Sequence, residues 1–230
     1  MKTRMNTPNR ISLARFIGAL ALFCLFSVVF YVPEPVLIVI PTTHFTIVDL
    51  VCFALFIFLA ATDGIDGHIA RSRHQVTDLG KFLDPLADKI LVDGALILLT
   101  IRDPMLLPPL FTVLFVARDL CVDGFRMIAA SKGVVVPANI YGKAKTVMEM
   151  VLVPVLFLRG FPVSYLDRWL DPAAFAAIWT KSPFSFAGET WAMGFCLLLG
   201  VATVAMSLVS GAIYVYRGRA FLTGDGKEDE

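Results

Sequence analysis

Six apolar stretches dominate this chain, and each is close to the length that crosses a bilayer. They run at about 13–33, 46–62, 83–101, 105–125, 144–160 and 191–216. A helix needs about 20 mostly apolar residues to span the hydrocarbon core, because only a closed hydrogen-bonded backbone is tolerated there. The wider composition agrees. Of 230 residues, 57% are hydrophobic and 17% charged, against about 25% charged in soluble domains. A soluble globular domain, a disordered chain and a disulfide scaffold are all disfavoured. The predicted fold class is an all-α integral membrane protein of six transmembrane helices, with a single domain at 1–219. The acidic tail at 220–230 is expected to be disordered.

The first stretch follows Lys2, Arg4, Arg10 and Arg15, as a signal peptide would. It is too long for a signal-peptide core, and no small-residue cleavage site follows it. The basic residues set the orientation. Sixteen of the 20 Lys and Arg fall on the side of the N-terminus, the 63–82 and 126–143 connections and the tail; only Arg102, Arg159, Arg168 and Lys181 fall on the other. Both termini are therefore predicted to be cytoplasmic. The 161–190 connection, with Trp169 and Trp179, is expected outside, along the interface. Pro154 is expected to kink the fifth helix.

The formal net charge is +1, so no overall field points to a nucleic-acid partner. Cys24, Cys52, Cys121 and Cys196 form no C-x-x-C pair and are expected to be buried thiols without a metal or redox role. His44, His68 and His74 are expected in surface or packing roles.

Four carboxylates, Asp63, Asp66, Asp84 and Asp88, flank the junction of the second and third helices. Charge near the membrane is costly, roughly 2.5–3.5 kcal/mol per residue on insertion scales. Asp63 and Asp66 are spaced i,i+3 and Asp84 and Asp88 i,i+4, so each pair shares a helix face. Pro85 fits if it lies in the first turn of the third helix, with Asp84 near the N-cap; otherwise it bends that helix. Helices joined by a short turn are expected to be neighbours, which lets the two pairs converge. Four such acids cannot all stay ionised unaided. Oxygen-only ligands favour hard divalent cations, and two of them would balance four negative charges. A two-metal carboxylate site suits in-line displacement at phosphorus. Gly64, Gly67 and Gly80 allow close approach of a ligand or a helix, and Arg71 and Arg73 follow within reach of a phosphate.

The same stretch matches the signature D-x2-D-G-x2-A-R-x8-G-x3-D-x3-D of the CDP-alcohol phosphotransferases, at Asp63, Asp66, Gly67, Ala70, Arg71, Gly80, Asp84 and Asp88. The segments TPNRISLARF (7–16), VTDLGKFLDPLADK (76–89), GFRMIAASKG (124–133) and GKAKTVMEM (142–150) resemble the phosphatidylglycerophosphate synthase branch of that family. The resemblance covers residues 7–150. One departure is ARDLCVDGFR, which has Asp119 where many members of the branch have Glu.

The resemblance implies six helices, a homodimer and an active site at the cytoplasmic face of the inner membrane, in contact with membrane lipids. It implies that glycerol 3-phosphate attacks the β-phosphorus of CDP-diacylglycerol and that CMP leaves. Asp63, Asp66, Asp84 and Asp88 would hold two divalent cations, Mg²⁺ or Mn²⁺. Asp88 would also be the general base, since a carboxylate beside the metal pair can take the hydroxyl proton. Asn9, Asp66, Gly67, Arg71, Thr77 and Gly80 would contact the CDP part of the donor. Arg118, Arg126, Lys143 and Lys145 would meet the acceptor phosphate, the competing role being positive-inside anchoring. An idle guanidinium at Arg118, inside an apolar run, would be costly.

Three other functions compete. The same chemistry could serve inositol phosphate or a phospholipid as acceptor. An intramembrane prenyltransferase also uses Asp-rich motifs, but with different spacing and more helices. A cation channel or transporter would need acids along a path through the bilayer, and here Asp49 stands alone.

Overall fold

The computed structural model describes residues 7–32, 46–72, 78–132, 140–160 and 191–223; the side chains of 7–8, 63–72, 78–82, 84 and 217–223 lie outside the description. Thr77, His44, His74, the side chain of His68, the 161–190 connection and residues 224–230 are therefore also outside it.

Six α-helices make up the described chain: α1 Thr7–Tyr31, α2 Ile47–Ser72, α3 Asp78–Arg102, α4 Pro109–Ser131, α5 Ile140–Phe157 and α6 Trp191–Thr223. Each overlaps one of the apolar stretches over most of that stretch's length. The differences lie at the ends. α2 runs ten residues beyond 62 and α3 starts five before 83, so all four motif aspartates are helical. α4 starts at Pro109 rather than near 105, because Pro104, Pro108 and Pro109 hold the preceding residues in a turn in which Leu106 N–H donates to Asp103 O at 3.1 Å. Pro at the first helical position costs nothing there. α6 continues to Thr223, past the 219 boundary. Pro85 does not sit in the first turn of α3: it lies seven residues after Asp78, inside the helix, where its missing N–H removes one helical hydrogen bond.

α1 packs mainly against α2 and α3, and α6 mainly against α4 and α5; α3 and α5 join the two groups. α2 and α3 touch each other, but less closely than each touches α1. At the join, the Phe157 ring meets Phe26 edge-on at 5.4 Å and Phe56 at 6.1 Å, tying α5 to α1 and α2. Such pairs add about 0.5–1.5 kcal/mol beyond the area they bury. Gly18 and Gly94 let Leu59 and Phe23 approach so closely that a Cβ at either position would overlap them. α5 runs through the buried Pro154 and ends on Arg159 and Gly160, both at positive φ, with Gly160 N–H returning to Val155 O at 2.8 Å. That is the left-handed termination for which glycine is suited.

The outer surface of the bundle is apolar. Leu120, Met127, Phe58 and Leu198 are each more than 60% exposed, and soluble monomers rarely carry apolar surface on this scale. Cys24 and Cys121 also lie on this surface, contrary to the expectation that all four thiols are buried; Cys52 and Cys196 are buried. Among the described residues α1 (Asn9–Tyr31) and α6 (Trp191–Tyr216) are long and apolar enough to cross a membrane. α3, α4 and α5 fall short because each carries several charged side chains.

The charges collect at two ends. At one, Thr46 caps α2: its N–H and hydroxyl donate to Asp49 Oδ2 at 2.7 and 2.9 Å, and Asp49 N–H donates to Thr46 Oγ1 at 3.2 Å. This reciprocal pairing is a capping box. Asp49 is not isolated, because it pairs with Arg102 at the end of α3, whose guanidinium lies 5.4 Å from the Phe26 ring. Asp103 and Arg159 pair at 3.6 Å at the same end. The candidate site is at the other.

Candidate active site

Three helices present charged faces to one another at the end opposite Arg102. On α3, Asp88, Lys89 and Asp93 recur at helical spacing; on α4, Arg118, Asp119, Asp123 and Arg126; on α5, Lys143, Lys145 and Glu149. They surround a cavity of about 260 Å³, which Tyr214 of α6 completes. Five carboxylates and five cations line it.

The floor is a buried ion network. Lys145 Nζ lies 2.6 Å from Asp119 Oδ2 and 2.6 Å from Glu149 Oε2, and both ends of the network are almost fully buried. Arg118 adds a second cation to Asp119, with Nη1 at 2.8 Å from Oδ1. Its other donors go to α6: Nη2 to Ser210 Oγ at 2.6 Å and Nε to Ser207 O at 3.3 Å. Gly211 gives that side chain room, since a Cβ there would come within 3.0 Å of Arg118 Cγ. The guanidinium is therefore employed, as expected of a charge in an apolar run, but largely in holding α4 to α6.

Nearer the mouth, Arg126 Nη2 donates to Tyr214 Oη at 2.8 Å, and the guanidinium lies 5.2 Å from the Tyr214 ring centre. The ring orients Arg126 from one face, while the side chain remains exposed. Lys143 is exposed as well. Lys89 pairs with Asp123, linking α3 to α4.

Of the residues singled out from sequence, the structure brings Asp88, Arg118, Arg126, Lys143 and Lys145 to this one cavity. Lys145 stands apart from the other cations, since its ammonium is enclosed by two carboxylates rather than open to a ligand. Asn9 is buried near the start of α1 and does not line the cavity. Its helix is tied to α2 by the buried Arg15, whose Nε donates to Thr62 Oγ1 at 3.4 Å, one residue before Asp63. Asp63, Asp66, Gly67 and Arg71 fall in the last turns of α2, and Gly80 and Asp84 in the first turns of α3; their side chains lie outside the described set. No group of three or more metal-binding side chains occurs among the described residues.

Asp93, Asp123, Glu149 and Tyr214 were not anticipated as site residues. Glu149 carried a signal: with Lys145 it forms an i,i+4 pair of opposite charges inside an apolar run, where an unpaired charge would be costly.

Comparisons with known proteins identify the family. The family model for CDP-alcohol phosphatidyltransferase matches residues 5–213. Over 181 residues the chain is 37% identical to a CDP-diacylglycerol–glycerol-3-phosphate 3-phosphatidyltransferase of Bacillus subtilis (strain 168), covering 78% of this chain and 89% of that one. Proteins of the same name from Rickettsia bellii and Rickettsia prowazekii are 34% and 31% identical, over 73% and 83% of this chain and 84% and 99% of theirs. The family match reaches all the helices that line the cavity, and the chain belongs to the CDP-alcohol phosphatidyltransferase family.

Proposed function

We propose that this chain transfers the phosphatidyl group of CDP-diacylglycerol to glycerol 3-phosphate, giving phosphatidylglycerol phosphate and CMP. The observation that carries this reading is the meeting of Asp88 from α3 with Arg118 and Arg126 from α4 and Lys143 from α5 around one cavity. A carboxylate able to take a hydroxyl proton and cations able to hold a phosphate are what an acceptor of this kind requires. The names of the relatives support the substrate pair.

In this reading the acceptor phosphate rests on Arg126 and Lys143 at the mouth. Tyr214 holds the Arg126 guanidinium on one side, so less rotamer freedom is lost when the phosphate binds. Arg118 adds positive charge from below while keeping α4 on α6. Asp88 accepts the proton of the acceptor hydroxyl as its oxygen forms a bond to the β-phosphorus of the donor. The bond between that phosphorus and the CMP oxygen breaks, and CMP departs with the electron pair. Asn9, Asp66, Gly67, Arg71, Thr77 and Gly80 are assigned to the CDP portion of the donor.

Asp63, Asp66, Asp84 and Asp88 would hold two divalent cations, Mg²⁺ or Mn²⁺; an all-oxygen donor set on consecutive helices suits such ions. When bound, they supply positive charge to the donor diphosphate and its leaving group.

The apolar outer surface favours six membrane spans, including the charged helices α3 to α5, whose described charges gather around one cavity. The positive-inside bias supports an orientation with both termini and the cavity on the cytoplasmic side of the inner membrane. The test of this reading is CMP release from CDP-diacylglycerol by the purified protein. It is expected with glycerol 3-phosphate and not with inositol phosphate or a phospholipid acceptor; the reverse preference would reassign the substrate.

A further inference from the structure

The donors and acceptors around the cavity are unevenly distributed. Asp119 receives Arg118 and Lys145, and Asp123 receives Lys89. Glu149 receives Lys145 through Oε2 only; its Oε1 is buried without a hydrogen-bond partner among the described residues, on a residue 3% exposed. Asp93 lines the cavity, partly buried, and takes part in no hydrogen bond or ion pair among the described residues. The cations that remain open to a ligand, Arg126 and Lys143, are at the mouth.

Helix geometry orders these groups by depth. Asp93 follows Asp88 by five residues along α3 and Glu149 follows Lys143 by six along α5. At about 1.5 Å per residue, Asp93 and Glu149 therefore lie about 7–9 Å deeper than Asp88 and Lys143. The mouth offers Arg126 and Lys143, and deeper in the cavity Asp93 and Glu149 Oε1 receive no donor among the described residues. An ionised carboxylate is an acceptor only. A buried acceptor left unmatched is costly, so the floor selects a ligand that brings hydroxyl donors.

We propose that Asp93 is a specificity-determining residue that accepts a hydrogen bond from the non-reacting hydroxyl of a polyol phosphate, with the unpartnered Glu149 oxygen adding to the acceptor character beside it. This rests on the phosphatidyl-transfer reading and deepens it. The phosphate sits on Arg126 and Lys143, the reacting hydroxyl faces Asp88, and the second hydroxyl points to the floor.

The test compares two acceptors with the purified full-length protein: sn-glycerol 3-phosphate, and 3-hydroxypropyl phosphate, which keeps the phosphate and the reacting hydroxyl but lacks the second one. Wild type is expected to favour glycerol 3-phosphate about tenfold to a hundredfold in kcat/KM, as for a partly buried acceptor left unmatched. Asp93→Ala should bring the two acceptors within about threefold by losing activity on glycerol 3-phosphate alone. Asp93→Asn keeps the shape and one acceptor oxygen, so it should fall between; it also serves if the alanine variant does not fold. A loss of structure alone would lower both acceptors together and leave the ratio unchanged. An unchanged ratio in both variants, or a wild type that does not distinguish the acceptors, would overturn the assignment of Asp93. A wild type that releases no CMP with either acceptor would overturn the phosphatidyl-transfer reading and this inference together.

Discussion

The ammonium of Lys145 on α5 sits 2.6 Å from Asp119 Oδ2 on α4, beneath the cavity. With Glu149 Oε2 at the same distance, it joins two carboxylates that would otherwise repel each other in a buried place. Removing one member of such a network leaves uncompensated charge, at a cost of about 3–5 kcal/mol. Lys145→Met should therefore lower the thermal unfolding temperature in detergent markedly, and adding Glu149→Gln should recover part of the loss. An unchanged unfolding temperature in the single variant would show that the network is not under this constraint.

Asp88 tests the chemistry. Asp88→Asn keeps the shape and removes the proton acceptor. Turnover should fall by about 10²–10⁴, while the unfolding temperature stays close to that of wild type. Near-normal CMP release would remove Asp88 from the role of base.

Arg126 tests the acceptor phosphate. Arg126→Ala should raise the KM for glycerol 3-phosphate about tenfold or more, and change the KM for CDP-diacylglycerol little. Tyr214→Phe removes only the hydroxyl that receives Arg126 Nη2 at 2.8 Å and keeps the ring beneath it. Its effect should be in the same direction and only a few-fold. Equal rises in both KM values for Arg126→Ala would argue against a phosphate contact.

The far end of the bundle provides a contrast. Asp49 is buried and pairs with the mostly buried Arg102, which also packs over Phe26. Arg102→Leu should destabilise the protein by about 3–5 kcal/mol and leave the KM for the acceptor unchanged in the protein that remains folded. A selective change in acceptor KM would mean that the two ends are coupled.

The helices were legible because apolar runs of membrane length leave the backbone little alternative to helix. Their ends were less so. The prolines at 104, 108 and 109 delay α4, and α2 and α3 extend into the charged stretch, where apolar length gives no guidance. The candidate site was partly legible. The cations Arg118, Arg126, Lys143 and Lys145 stand out in apolar surroundings, and the structure gathers them with Asp88. Their division of labour was not legible, since it depends on which helix faces which. Lys145 is enclosed between Asp119 and Glu149, whereas Lys143, two residues earlier, is exposed. Asp119 stood out in the sequence only as a departure from Glu, yet it is the carboxylate on which Arg118 and Lys145 meet. Asp93 could be placed only once the partners of its neighbours were known.

The central claim is phosphatidyl transfer to glycerol 3-phosphate. It is tested most directly by measuring CMP release from CDP-diacylglycerol by the purified protein across acceptors, with Mg²⁺ and Mn²⁺ compared and a chelator control. The account predicts release that depends on glycerol 3-phosphate and on a divalent cation. Absence of release with glycerol 3-phosphate, or release that persists unchanged in the chelator, would contradict it.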